Sequence, residues 1–325
     1  MKILLKGFGS IGRRHCANLM QLGYKDIVVV SSKTELGEGF EGIITYLKLQ
    51  DALANHQFSH GFICSPTAFH TEDVRNFISA GISSIYLEKP ISHSLEGITS
   101  IYKLLRPNTD ISVGFDLHFD PGLIKVKELI DSKLLGDIYS ANAFVGQYLP
   151  DWRPHEDYRR GMSASKEKGG GVMLDLIHEF DYLRWLLGGP QKIVCFYQNN
   201  PQLEIETEDL ADVLIQFEKG INASIHLDYH QRKLVRYCII TLEKGSIKWD
   251  LAERKVVVTH HERDSQEFDF SNFDRNDRYI QIVDAFMNNP TDWRLTSFAD
   301  GMTSLKMVLD AKKSSETEQV IETKL

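Results

Sequence analysis

Cysteine is scarce, with four in 325 residues (Cys16, Cys64, Cys195 and Cys238), widely spaced and without a CxxC pair. That excludes a disulfide framework and a thiolate zinc site, and it suits free thiols in a reducing compartment. The expected location is the cytoplasm. No apolar run approaches the length of a membrane span, and Ile3-Leu4-Leu5 is too short for the core of a signal peptide. Basic residues are in deficit: 37 Lys and Arg stand against 45 Asp and Glu, a formal net charge of −8. This argues against a nucleic-acid or anionic-membrane partner. Repeats and low-complexity tracts are absent too. What is present is an ordinary globular composition, 42% hydrophobic and 25% charged, long enough for two domains.

Residues 2–6 read as a strand and 13–22 as a helix, and between them stands Gly7-Phe8-Gly9-Ser10-Ile11-Gly12. GxGxxG in that context predicts a dinucleotide-binding turn. Gly7 permits the bend, Gly9 lets the backbone approach a pyrophosphate, and Gly12 lets the helix pack on the strand. The helix N-terminus then offers free N–H groups to phosphate. NAD-binding versions place an acid on the ribose about twenty residues further on. Here the second strand, 26–30, ends in Ser31-Ser32-Lys33, with no acid before Glu35. Two hydroxyls and an ammonium suit a 2′-phosphate, so NADP is expected, with NAD the alternative if Glu35 turns in. Strands over 60–64, 84–87 and 111–114 alternate with helices over 68–80 and 95–105. That pattern predicts a doubly wound parallel sheet covered on both faces. Gly7, Ser31, Ser65 and Lys89 all fall at strand ends, where ligands bind on such sheets.

Residues 169–188 read GGGVMLDLIHEFDYLRWLLG. Val172, Leu176, Phe180, Leu183 and Leu187 recur at helical spacing and predict one helix. Asp175 and His178, three apart, would then lie one turn apart on the same side. A carboxylate there can fix the tautomer of an imidazole and raise its basicity. Taken alone, the stretch also fits a helix cap and an ordinary core histidine.

GxGxxG at the start, SPTxxH at Ser65–His70, EKP at Glu88–Pro90 and GGG followed by Asp and His together resemble the Gfo/Idh/MocA oxidoreductases. The resemblance covers nearly the whole chain and implies an NAD(P)-dependent enzyme acting on a sugar, an inositol or a nucleotide sugar. It implies a cofactor site of Gly7, Phe8, Gly9, Ser10, Ile11, Gly12, Ser31, Ser32, Lys33, Ser65, Pro66, Thr67, His70, Glu88 and Lys89. It implies a catalytic Lys89, often before a cis proline, with His178 and Asp175 as its partners. His178 is the expected proton carrier, Asp175 its orienter and Lys89 the group that polarises the oxygen, although Lys89 and His178 could exchange parts. The family's usual Asp and His are four apart, whereas here they are three apart, as DLIH, as in variants associated with surface-glycan sugars. Family members commonly carry Asn and Arg at the positions of Asp116 and His118. Reduction of a C=N or C=C bond, or a non-catalytic dinucleotide sensor, remains an alternative.

The expected domains are 1–120, a Rossmann unit, and 121–325, an α+β substrate and oligomerisation unit whose last helices pack back on the first. A helix over 121–131 opens the second and a strand over 137–147 follows. The segment from Tyr148 through Trp152, Arg153, Tyr158 and Arg159 is aromatic and basic in an acidic protein. Aromatic faces stack on sugars and Arg clamps anions, so the segment predicts an anionic amino-sugar or nucleotide-sugar contact, or equally an oligomer interface. Residues 163–168, small and polar, suit a flexible lid. Alternation around Glu218-Lys219-Gly220 and Glu243-Lys244-Gly245-Ser246 predicts hairpins in a mostly antiparallel sheet with one open face. His226, Asp228, Tyr229 and Arg232 belong to its polar side. His260-His261-Glu262 reads as surface, since strand neighbours point apart, and no metal is expected. Helices over 277–288 and 298–312 close the chain. A homodimer or homotetramer through the second sheet is expected.

Overall fold

Ile3-Leu4-Leu5 and Ile27-Val28-Val29-Val30 are apolar at every position, so a strand of either needs cover on both faces. They form β1 (Ile3–Lys6) and β2 (Ile27–Val30), joined by α1 (Ser10–Gln21), and none of those seven residues is more than 4% exposed. β3 (Ile44–Tyr46), α2 (Leu49–Asn55), β4 (His60–Ile63), α3 (His70–Ser79), β5 (Ser84–Leu87), α4 (Ile98–Leu104) and β6 (Asp110–Val113) complete the alternation. Strand order is β3-β2-β1-β4-β5-β6, with every neighbour parallel. The chain winds outward from β1 one way, then restarts at β4 and winds the other way. The crevice for a ligand on such a sheet lies outside the carboxyl ends at that reversal. The structure is a computed structural model that describes all residues but Thr34, Arg153, Lys324 and Leu325.

By internal contacts, Met1–Asp116 and Arg275–Met302 form one unit, and Leu117–Asp274 and Thr303–Leu325 the other. The second opens with α5 (Pro121–Asp131), where the Asp120 side chain accepts from the N–H groups of Gly122 and Leu123 at 3.0 and 3.2 Å. β7 (Ile138–Gly146), α6 (Val172–Asp175), α7 (His178–Leu187), β8 (Pro190–Gln198), β9 (Leu210–Phe217), β10 (Asn222–Asp228), β11 (Val235–Leu242), β12 (Gly245–Asp250), β13 (Lys255–His260) and β14 (Gln266–Asp269) follow. α8 (Arg275–Asn288) and β15 (Thr296–Ser297) belong to the first unit, where β15 lies antiparallel on β6. α9 (Phe298–Thr317) begins in the first unit and ends in the second, and β16 (Ile321–Glu322) pairs with β8.

The second sheet has nine strands in the order β14-β13-β12-β11-β7-β10-β9-β8-β16. All pairs are antiparallel except β7 with β10. That parallel pair needs a long connection, and the chain between them runs through the loop, α6, α7, β8 and β9. Both hairpins form where expected; Lys219 and Gly220 take φ of 60° and 77° at the first. α5, α6 and α7 pack on one face of this sheet. On the other, Phe196 and Leu214 stand 69% and 53% exposed.

The single helix expected from Val172 to Leu187 is broken. Leu176 leaves helical geometry at φ −101°, ψ 32°, so α6 stops at Asp175 and α7 starts at His178. A spacing of three therefore does not set these two side chains one turn apart on one helix. Among the described residues, no helix is long and apolar enough to cross a membrane.

Candidate active site

The first sheet's ladder runs past its strand ends. Gly7 N–H donates to Val30 O, Cys64 N–H to Lys6 O, Glu88 N–H to Ile63 O and Gly114 N–H to Leu87 O, at 2.7–3.0 Å. Gly7, Cys64, Glu88 and Gly114 are thereby aligned along one edge. The three glycines of the turn differ in what confines them. Gly7 has φ +97°, and a Cβ on it would lie 2.5 Å from Cys64 O. A Cβ on Gly12 would strike Gly7 O. A Cβ on Gly9 would meet nothing within 4 Å. The turn thus packs tightly at both ends and leaves open space over its middle, at the N-terminus of the 12-residue α1. An incoming pyrophosphate requires that shape.

Around the turn, Phe8 is buried, Ile11 half-buried and Ser10 exposed. Arg13, for which the sequence carries no site signal, donates to Leu36 O at 2.7 Å and lies 4.9 and 5.1 Å from the rings of Phe8 and Phe40. It fixes the loop after β2. In that loop Ser32, Lys33 and Glu35 are exposed, and the buried Ser31 Oγ accepts from Lys33 N–H at 3.0 Å.

After β4, Ser65 Oγ donates to Asp73 at 2.6 Å. Burial raises the Asp73 pKa, opposed by this bond. Pro66 is exposed and Thr67 buried. His70 is buried at 1% exposure, with Nδ1 2.8 Å from Pro90 O and Nε2 2.8 Å from Ser65 O. Both ring nitrogens are engaged with the backbone of the turns, so the ring braces them. Lys89 is half-buried and precedes Pro90 through a cis peptide bond. Glu88, 7% exposed, reaches back to His15, whose Nε2 lies 2.6 Å from its Oε1. His15 is a second residue the sequence did not reveal. Its only signal is a histidine three places after Gly12, on the buried side of α1.

In the second unit, the glycine triplet is forced by close packing. Side chains on Gly170 and Gly171 would strike Met162 O and the Glu208 carboxylate. Ser163, at the head of the expected lid, is tied down: its carbonyl accepts from Gly171 N–H at 3.1 Å and Thr207 Oγ1 at 2.7 Å. Asp175 and His178 are both buried. Asp175 Oδ2 accepts from the hydroxyl of Tyr229 at 2.6 Å. Burial first, then Asp175, pushes the Tyr229 pKa well up, so it keeps its proton and remains a donor. The sequence placed Tyr229 on or beyond the polar face of the sheet; the structure buries it completely just past the end of β10, with its hydroxyl on Asp175 of α6. Asp228 beside it is buried as well. Glu179, next to His178, is fully buried and forms a bidentate pair with Arg236 of β11 at 2.8 Å for both bonds. Such a pair fixes α7 on the sheet.

Part of the aromatic and basic segment joins this cluster. Trp152 stands edge-on to Tyr229 with ring centroids 5.3 Å apart. Tyr148 carries the guanidinium of Arg232 over its ring at 3.7 Å. Tyr158 is half-buried, and Arg159 is exposed and bound to Asp157 and Glu204 at 2.9 and 2.8 Å. Arg153 lies outside the described residues. The two departures from family pattern are structural here. Asp116 pairs with Arg278 at 3.0 Å, and His118 meets Asp181 at 2.8 Å with its ring stacked 4.2 Å from Trp185. Among the described residues, no group of three or more His, Cys, Asp or Glu gathers as metal ligands.

Comparison with known proteins agrees with this layout. The model of the oxidoreductase family's NAD-binding Rossmann fold matches residues 1–115, and that of the GFO/IDH/MocA C-terminal domain matches residues 123–248. An uncharacterised oxidoreductase, YrbE of Bacillus subtilis, is 27% identical over 67% of this chain and 64% of its own length. Inositol 2-dehydrogenase of Rhizobium meliloti is 31% identical over 39% of this chain and 36% of its own length. The matches thus span less than two thirds of either relative. Among solved structures, levoglucosan dehydrogenase in complex with NADH and levoglucosan shares the fold, with TM-score 0.86, 17% identity and coverage of 100% and 99% of the two chains. With residues 1–115 and 123–248 matched by the two domain models, the chain belongs to the Gfo/Idh/MocA family of oxidoreductases.

Proposed function

We propose that the chain is an NADP-dependent dehydrogenase, with NAD the alternative cofactor, acting on a secondary hydroxyl of a neutral polyol or sugar. The observation that carries this reading is the open space over Gly9, on the same sheet edge as Lys89. Gly7–Gly12, the Ser65–Thr67 turn and Glu88–Lys89 would hold the dinucleotide, and exposed Ser32 and Lys33 suit a 2′-phosphate. When bound, the nicotinamide accepts or supplies the hydride. His178 takes the hydroxyl proton during oxidation and returns it during reduction. Lys89 holds its ammonium against the reacting oxygen. Asp175, fixed by Tyr229, orients the substrate hydroxyl or the imidazole.

Trp152 and Tyr148 are the aromatic surfaces for the sugar ring. Arg159 is already paired with two carboxylates, which weighs against the anionic amino-sugar or nucleotide sugar that the basic segment suggested. The names of the relatives point the same way, to inositol and levoglucosan. The open face of the second sheet, with Phe196 and Leu214 uncovered, is proposed to receive a second copy of the chain, and light scattering measures that.

The test is a panel of myo-inositol, levoglucosan and aldoses with NADP+ and NAD+, followed by absorbance of the reduced nicotinamide. Lys89→Ala and His178→Ala are expected to lower kcat by about 10²–10⁴-fold. Binding of NADPH, read by fluorescence, should stay within a few-fold. Turnover that stays intact, or a fall in NADPH binding alone, would refute the assignment.

A further inference from the structure

The residues on either side of Lys89 are each gripped by a buried histidine. His15 holds the Glu88 carboxylate at 2.6 Å, and His70 holds Pro90 O at 2.8 Å. The second grip poses a chemical problem. His70 Nε2 also lies 2.8 Å from Ser65 O, so both ring nitrogens face carbonyl oxygens. A carbonyl oxygen only accepts, and a neutral imidazole has one N–H and one lone pair. The neutral ring can therefore satisfy one turn and must set its lone pair against the other. Only the ring with two N–H groups bonds both.

We propose that His70 is a positioning residue for Lys89, tying the Lys89 turn to the Ser65 turn by one hydrogen bond when neutral and by two when doubly protonated. Its importance for catalysis rests on the reading of Lys89 given above; the coupling between the two residues does not. The ionisable groups that act on the ring are Glu88 just after β5, which favours its charged form, and His93, which opposes it; Asp73 on its own helix is held by the Ser65 hydroxyl. Burial lowers the pKa of His70, and the Pro90 and Ser65 carbonyls act against that pull. The second proton therefore enters below the ordinary histidine range, and the turns tighten as pH falls.

The experiment uses the full chain, with 15N-histidine and 13C-lysine labels, followed by NMR from about pH 8 to about pH 5. Loss of signals in His70→Gln and Lys89→Met assigns the two residues. As pH falls, the second nitrogen of His70 is expected to gain its proton and the Lys89 signal to shift with the same midpoint. In His70→Gln, whose amide carries two hydrogens and does not titrate, the Lys89 signal should stay flat across that window. A Lys89 signal that ignores the His70 midpoint, or still follows it in His70→Gln, overturns the proposal.

Turnover gives a separate reading. His70→Phe keeps the ring without its donors and should lower kcat about tenfold or more with KM little changed, and His70→Gln should restore most of it. A His70→Phe enzyme with wild-type kcat also overturns the proposal. If no polyol is turned over while the NMR coupling holds, the functional reading falls and the positioning role stands.

Discussion

Replacing Gly9 by alanine separates a turn built for its own packing from a turn built for a ligand. Gly9 has φ −76° and ψ −163°, which alanine adopts freely, and its added methyl meets nothing within 4 Å. The ligand-free fold should lose nothing. It should gain about 0.4–1 kcal/mol, because alanine has less freedom to lose on folding. Gly12→Ala is the opposite case: its methyl strikes Gly7 O and lies 3.3 Å from Cys64 Cβ. Overpacking of that kind costs about 1–3 kcal/mol. A fold-only account therefore ranks Gly9→Ala as harmless. The ligand account ranks it as severe, since the methyl occupies the surface on which the pyrophosphate rests. A tenfold weaker Kd corresponds to about 1.4 kcal/mol. The assay is thermal or urea unfolding with and without NADPH and NADH. At a hundredfold excess over the wild-type Kd, ligand stabilises the wild type by about 2.7 kcal/mol; at that concentration the variant should gain only about 1.4. A Gly9→Ala chain that binds both dinucleotides like the wild type would refute the reasoning. So would one that unfolds as readily as Gly12→Ala.

Tyr229→Phe keeps the ring against Trp152 but removes the donor to Asp175. A buried carboxylate missing a donor costs about 1–3 kcal/mol, so the urea midpoint should fall and kcat with it; unchanged values of both would show that the bond is idle. His226 lies between Asp228 and Asp212, which raise its pKa, Asp228 contributing most. A raised folded pKa adds stability that is full below the unfolded value of about 6.5 and is lost as pH rises through the folded value. The stability difference between the wild type and His226→Gln should therefore be constant in acid and shrink above about pH 6.5, as measured by urea unfolding. A difference that grows with pH would contradict the ion pairs.

The strands and glycine turn of the first sheet were legible because their signals are local. Ile27–Val30 is apolar throughout, and Gly7, Gly9 and Gly12 stand at fixed spacing before a helix. β3 and α2 escaped notice: every residue of β3 is half-buried or exposed and it is three residues long, so no apolar run marks it. The helix break at Leu176 escaped because the apolar positions keep their rhythm across it. Tyr229 shows the same limit. It looked like one more polar-side residue after β10, and only the fold brings its hydroxyl to Asp175, 54 positions away.

The acids beside the two proposed catalytic residues have a common logic. Glu88 precedes Lys89 and Glu179 follows His178, and either could be mistaken for a direct partner of its neighbour. Glu88 turns back into the first unit to His15 on α1, and Glu179 into the second unit to Arg236 on β11. Each anchors the backbone from which the adjacent residue projects. An anchor of this kind must be buried and charged at once, and that is tolerable only when its counter-group is already in place. Removing one member strands the other, at about 3–5 kcal/mol for a buried ion pair such as Glu179 with Arg236. The strength of the anchor and the cost of breaking it have the same origin.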